Sequence, residues 1–512
     1  MTGLGAPRYA RTAAILIAVL TLVRLSVISI VGVGDAEAYY WTWSQHLSLS
    51  YLDHPPMVAW MIALSTALGG SSQFFIRLGP VLVFAATSIL VYRLAADVSG
   101  RPRVGLAALV LFELTPAFAI GGQGANPDVP LGLFWLLTAW LLWTATTGEK
   151  RGRVWLAGLS LGLAFLSKYF AVLLVVSAGL WLARREHRHW WRRSELYGAM
   201  LIALACTIPV IAWNSQHEWA SLRLHVTRHS AAGVTPSQVG MFLGGQALYY
   251  SPLLWGAYLY ALVVAARRGL RGRGDDSPER RRAYAFVALL ALPTLSVFTV
   301  VGLWTPESEP HWTAMGFLPL VLGTAMLWDE RWPAGGAPTP RLRRFAWIAC
   351  GLPGILLVLL HVHILTPLLL PLIPERDRPV DIVAELSGWP EVGARTRAIA
   401  AAMQNPVLLH YHYTKCSQLW LSVNGELPLA CLNDREDQYD FWQDEAALVG
   451  RNMVYVTDAV YGRDPATLWR FDQCTEETPK LEIRRGGFQL RTFTFWRCEG
   501  YRGPVPTASR TS

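Results

Sequence analysis

Two carboxylates, Asp35 and Glu37, stand one residue apart directly after the first long apolar run, at the head of a connection that has no basic residue of its own. Partial desolvation there favours the protonated form of a carboxyl group, the tuning that a general base needs, although a solvated turn after a helix explains the same residues. Downstream, Tyr51-Leu52-Asp53-His54-Pro55-Pro56 places a carboxylate and an imidazole where the prolines fix the backbone at a helix start. Such a pair suits a metal ion or a phosphate, and a helix-capping Asp beside an incidental His is the plain alternative. Lys168 lies between two apolar runs in LAFLSKYFAVLLV, and Arg24 interrupts the first one. Cations at such depth are costly and mark ion or phosphate sites unless they snorkel to headgroups.

The other connections on the same expected face add Asp128 in GANPDVPLG, Glu307, Glu309 and His311 in TPESEPHW, and His225 and His229 in LRLHVTRHS. Each alone is an ordinary surface residue. Together they put acids, imidazoles and cations where loops can converge on a cavity. No P-loop, G-x-G-x-x-G after a strand, H-E-x-x-H or G-x-S-x-G is present, so a nucleotide cofactor has no support.

These residues must be positioned by membrane helices. Of 512 residues 53% are hydrophobic and 16% charged, against about 25% charged in soluble proteins, which excludes disorder and a soluble globule. The net charge of +9 is not gathered on one solvated face, as a nucleic-acid partner would require. It falls instead in every second connection, at Arg8 and Arg11, Arg101 and Arg103, Lys150 to Arg153, Arg184 to Arg193, Arg267 to Arg282 and Arg331 to Arg344. That is the positive-inside pattern of a polytopic α-helical membrane protein. Apolar runs at 12–31, 74–98, 104–121, 129–147, 154–167, 169–183, 196–214, 240–265, 283–301, 312–328 and 345–366 predict eleven spans. The acidic connections and the C-terminal tail then lie outside, with the first span uncleaved.

The long first outer connection is amphipathic, and it predicts two helices in the membrane interface, with Tyr39, Tyr40, Trp41, Trp43 and Trp60 at headgroup level. We divide the chain into a transmembrane module, 1–374, and an outer soluble α/β domain, 375–512, with strands at 406–413 and 452–459 and a hairpin at 481–496. Cys416, Cys431, Cys474 and Cys498 fall in that domain, where an oxidising compartment allows two disulfides. Of the three pairings, 416 with 431 and 474 with 498 are favoured because both are local. Zinc is a weaker reading, since no C-x-x-C is present.

GDAEAYYWTWSQHLSLSYLDHPPMVAW, followed in order by NPDVPLGLFWLLTAW, GLAFLSKYFAVLL, PVIAWNSQHEWAS and EPHWTAMGFLPL, resembles the GT-C membrane glycosyltransferases of families 39 and 83. That group includes protein O-mannosyltransferases, lipid A aminoarabinose transferases and lipopolysaccharide galacturonosyltransferases. The stretches GWPEVGARTRAIAAAMQNP and DREDQYDFW look like the soluble tail of bacterial members.

The resemblance implies inverting sugar transfer from a polyprenyl-phosphate donor to a lipid, glycan or protein acceptor, at the outer face of the bacterial cytoplasmic membrane. Membrane lipid, and no nucleic acid, is the remaining partner. The family carries adjacent Asp and Glu before AYYW, whereas Ala36 separates Asp35 from Glu37 here, which leaves open which carboxylate is the base. Asp53-His54-Pro55-Pro56 is similar to the Glu-Lys-Pro-Pro of aminoarabinose transferases, in which the acid helps hold a divalent metal and the Lys meets donor phosphate. His225 falls near the family's His ligand. On this reading Asp35 or Glu37 deprotonates the acceptor, while Lys168, His54, Arg24 or a metal at Asp53 and His225 stabilises the departing phosphate; Asp128, Glu309 and His311 line the same face. A secondary transporter is the competing class, and it predicts midplane polar residues, broken helices and pseudo-repeats.

Overall fold

The computed structural model describes residues 6–148, 150–227, 234–272, 276–305, 308–332, 339–433 and 435–506. The helices run in the order α1 (Ala6–Ile30), α2 (Asp35–Gln45), α3 (Met57–Gly69), α4 (Gln73–Ser99), α5 (Pro102–Leu114), α6 (Pro116–Gly121), α7 (Asp128–Thr147), α8 (Arg153–Ser167), α9 (Val172–Leu182), α10 (Ser194–Ala205), α11 (Ile208–Gln216), α12 (Ala220–Thr227), α13 (Pro236–Tyr250), α14 (Pro252–Ala265), α15 (Pro278–Trp304), α16 (Ala314–Glu330) and α17 (Pro340–Leu365). All eleven apolar runs are helical. Among the described residues, six helical segments are long and apolar enough to cross a membrane, and α13 with α14 makes a seventh candidate bent by 100°. The chain is a multi-pass membrane protein.

Proline sets several starts: Pro102, Pro116, Pro252 and Pro278 all occupy the first turn, where the missing N–H costs nothing. Side-chain oxygens of Thr235 and Ser277 cap α13 and α15 by accepting from Gln238 N and Arg280 N.

The chain forms two compact units. The first comprises residues 1–26, 48–61 and 77–358. Its core stacks α5, α7, α8, α9, α14, α15 and α16 around Trp135, Trp181, Tyr250, Tyr258 and Tyr284, all fully buried. The basic connections are held by ion pairs, Arg101 and Arg103 to Asp329 and Arg268 to Asp276 and Glu330.

The second unit comprises 27–47, 62–76 and 359–512. It contains α18 (Ile382–Glu385), α19 (Trp389–Ala401), α20 (Tyr413–Ser422) and the strands β1 (Pro406–His410), β2 (Leu429–Cys431), β3 (Asn452–Asp458), β4 (Trp469–Arg485) and β5 (Phe488–Pro504). The sheet order is β2-β1-β3-β5-β4, with β1 parallel to β2 and β3 and the rest antiparallel. Alternation along β1 and β3 sends Leu408, Val454 and Val456 to the face covered by α19 and α20, and Val407, Leu409, Met453 and Tyr455 to the other. The expected hairpin is longer than its apolar pattern, and it turns at Gly486 and Gly487, whose φ values of 55° and 84° need glycine. Both local disulfides, Cys416–Cys431 and Cys474–Cys498, are present.

Of the aromatic residues of the first connection, Tyr39, Trp41 and Trp43 are buried in protein, where Tyr39 meets Tyr413, Trp41 meets Trp420, and Gln438 N–H donates to the Tyr39 hydroxyl, whereas Tyr40 and Trp60 are half-buried.

Candidate active site

In the first unit, the Asp128 carboxylate opens α7 and Lys168 closes α8, where the chain breaks into a short 3-10 turn, Tyr169–Ala171. The break removes the room to snorkel, and the Lys168 side chain is only 3% exposed. Its ammonium donates to both Asp128 oxygens, at 3.0 and 2.9 Å, and lies 4.6 Å from the Phe170 ring centroid. His311 Nε2 stands 3.8 Å from Asp128 Oδ2, and its Nδ1 stands 3.0 Å from Glu309 Oε2. Four residues from three separate connections thus form one chain of polar contacts. Glu307 and His229 lie outside the described residues.

Asp53, His54 and His225 are also together. His225 Nε2 is 3.0 Å from the backbone oxygen of Asp53, its ring stacks with that of His54 at 6.5 Å, and Tyr169 meets it edge-on at 5.1 Å. This arrangement does not by itself fit a divalent ion. Nε2 is engaged with a peptide oxygen of Asp53, and among the described residues no three His, Cys, Asp or Glu side chains converge as ligands.

Arg24 has a protein partner. Inside the apolar helices its guanidinium pairs with Glu113 at 2.5 Å and covers Phe84 at 4.6 Å, and Ser88 donates to the other Glu113 oxygen at 2.7 Å.

In the second unit, Asp35 and Glu37 occupy the first turn of α2, where the helix dipole favours negative charge. Glu37 Oε2 accepts from Gly34 N–H at 2.8 Å and so closes the helix end. Asp35 N–H donates to Glu385 Oε1 at 2.9 Å. Asp35 Oδ2 pairs with Lys415 of α20, while Oδ1 is buried with no hydrogen-bond partner among the described residues. Burial first, and then the charge of Asp35, pushes the Glu385 carboxyl above its usual range. Burial and then Arg491 lower the Lys415 ammonium, with Asp35 pulling back upward.

Sequence reasoning missed Glu113, Glu385 and Lys415. Glu113 had a signal, as a lone acid in an apolar run. The partners of Asp35 lie 350 and 380 residues away and leave no local trace.

Residues 53–213 match the family of dolichyl-phosphate-mannose-protein mannosyltransferases. The chain is 28% identical over 309 residues to the lipid A galacturonosyltransferase RgtD of Rhizobium johnstonii, covering 58% of this chain and 61% of that protein. It is 31% identical over 281 residues to an undecaprenyl phosphate-alpha-4-amino-4-deoxy-L-arabinose arabinosyl transferase of Pseudomonas aeruginosa, covering 51% and 47%. The chain thus matches about half to three-fifths of the length of these relatives. In structure it superposes on ArnT from Cupriavidus metallidurans bound to undecaprenyl phosphate, with a TM-score of 0.59 at 15% identity over 96% of this chain and 98% of that one. A second likeness is to the Archaeoglobus fulgidus oligosaccharyltransferase tethered with an acceptor peptide, with a TM-score of 0.52 at 11% identity over 87% and 69%.

A polytopic helical module joined to a small mixed-sheet domain, with these neighbours, defines the GT-C fold. The chain has that fold, and it is related in sequence to a lipid A galacturonosyltransferase and to undecaprenyl phosphate-aminoarabinose arabinosyl transferases.

Proposed function

We propose that this chain transfers a sugar from a polyprenyl-phosphate donor to a lipid, glycan or protein acceptor, at the outer face of the bacterial cytoplasmic membrane. The fold and the names of the sequence relatives support the class, and the Asp128–Lys168 pair is the observation that carries it. An ammonium has three protons. Asp128 takes two of them, which leaves one for a phosphate oxygen at a place shielded from water.

The reaction is a single inverting displacement. The acceptor oxygen gives its proton to a carboxylate and bonds to the anomeric carbon, and the bond from that carbon to the phosphate oxygen breaks with its electron pair leaving on polyprenyl phosphate. A phosphate is already a good leaving group, so charge stabilisation and positioning supply most of the barrier reduction. We assign proton acceptance to Asp35, because Glu37 is committed to the Gly34 N–H whereas Asp35 Oδ1 has no such commitment. Lys168 and His54 are assigned to the donor phosphate. Arg24, packed against Glu113 and Phe84 inside the apolar helices, is left out.

The test is transfer of label by the reconstituted protein from prenyl-phosphate donors carrying galacturonic acid, 4-amino-4-deoxy-arabinose or mannose. Transfer from one of them is expected, and Asp35→Asn should lower turnover about a hundredfold or more with folding intact. Equal loss in Glu37→Gln would return the base to Glu37. The bend between α13 and α14 is a feature that a secondary transporter shares, and uptake of sugar without transfer would establish that reading instead.

A further inference from the structure

The C-terminal domain carries a cation that the reaction above leaves unused. Lys415 is the third residue of α20, and its side chain is 5% exposed. Isolated burial of an ammonium is costly, and a hydrophobic residue of similar volume would be as stable or more so, which makes a lysine here a candidate for function.

Its neighbours hold it from both sides. Cys416 is bonded to Cys431 of β2, the Ser417 hydroxyl is 2.6 Å from that of Tyr439, and Gln418 Nε2 donates at 2.7 Å to Val33 O, two residues before Asp35. Trp389 and Tyr461 rings flank the ammonium at 5.6 and 5.2 Å. Arg491, behind it, is matched by Asp458 at 2.6 Å, so the charge of Lys415 falls to Asp35.

We propose that Lys415 is a positioning residue for Asp35: its ammonium fixes Oδ2 and supplies the counter-charge, leaving Oδ1 to take the acceptor proton, so that the C-terminal domain completes the base. This rests on the reading of Asp35 as the proton acceptor. Lys415 keeps its own proton throughout. Among the described residues, the charged and titratable groups around Asp35 include Lys415 and His412 of α20 and its approach, Glu385 of α18, Glu37 of its own helix and Tyr461 after β3, with Arg435 and Arg491 beyond them. Two of these are acids. His412 is lowered by burial and then by Lys415, and Lys415 is the cation in direct contact with Asp35.

The experiment uses the full chain reconstituted in lipid. Asp35 is labelled with a hydrophobic carbodiimide, which reacts with protonated carboxyl groups, and the adduct is measured by peptide mass spectrometry as a function of pH. In Lys415→Met the half-labelling pH should rise by about one unit or more, the scale of losing an adjacent opposite charge. Lys415→Arg should return it towards wild type. In parallel, the acid limb of the turnover profile should move up in Lys415→Met, with kcat falling about tenfold or more and the donor KM unchanged.

Where Met does not fold, Lys415→Gln, which retains a donor for Oδ2 without the charge, gives the same comparison. Superposable labelling curves and pH profiles for wild type and the neutral variant would overturn the proposal, whatever the stability of the variant. Transfer by wild type, lost in Asp35→Asn, is the separate control: its absence removes the assignment of Asp35, whereas its presence with unmoved Lys415 curves removes only the role of Lys415.

Discussion

Removing Asp128 alone should be far worse than removing Lys168 alone or removing both. Asp128→Asn leaves an ammonium that is 3% exposed without its counter-charge, a loss of about 3–5 kcal/mol. Lys168→Met leaves a carboxylate that is 25% exposed and 3.8 Å from His311, so water and the imidazole take over part of the solvation. That change should cost about 1.5–3 kcal/mol, the scale of hydrogen bonds to a charged group. The double variant should resemble Lys168→Met alone, which makes the coupling between the two sites as large as the Asp128→Asn loss itself, about 3–5 kcal/mol. Equilibrium unfolding in mixed micelles measures the three variants, and binding of a labelled prenyl-phosphate sugar is measured on the same preparations. Lys168→Met should weaken the donor by a factor of about 10 to 100. An Asp128→Asn variant as stable as the double would refute the buried ion pair. Unchanged donor affinity in Lys168→Met, with stability lowered, would show that the pair only joins α7 to α8.

The same logic applies to Arg24: Arg24→Leu should destabilise by about 3–5 kcal/mol by stranding Glu113 inside the apolar helices, and Arg24→Leu with Glu113→Leu should recover most of it. Donor binding in that double variant should stay within about twofold of wild type, and a tenfold loss would put Arg24 back at the phosphate. His410, fully buried, is held well below its usual range by burial and then by His412, and its Nδ1 accepts from His412 N–H at 2.9 Å, which requires the neutral ring. Its folded-state value is depressed, so its contribution is complete above about pH 6.5, where the unfolded ring is also neutral, and is lost on acidification by about 1.4 kcal/mol per pH unit. Melting of wild type and His410→Gln between pH 7 and 5 checks this, and parallel slopes would refute it.

The membrane module was legible because lipid imposes its own rule: about twenty apolar residues for each crossing, with the charge left in the connections. What hydropathy could not read is where a run breaks. The stretch 240–265 looks continuous, yet the chain turns by 100° at Ser251, whose φ is 68°, because Pro252 cannot donate and starts a new helix. The break at Thr115 before Pro116 has the same cause. Candidate residues were legible in the same way, since a carboxylate or cation against an apolar background is conspicuous. Their partners were not, because pairs such as Lys415 with Asp35 are made by the fold over hundreds of residues.

One signal nonetheless crosses that distance. Of the 45 basic residues only Lys150, Lys168, Lys415 and Lys480 are lysines. In a chain that otherwise uses arginine, the two buried lysines each hold an aspartate, Asp128 and Asp35. Arg268, by contrast, takes Asp276 with its planar fork and turns its remaining nitrogen to Glu330. An ammonium is a compact charge with protons that point in three directions, so it can neutralise an aspartate and still leave room for a reacting partner at the same place. The choice of lysine at these two positions is what a site needs and a tie does not, and Lys168→Arg should therefore keep the fold while weakening the donor.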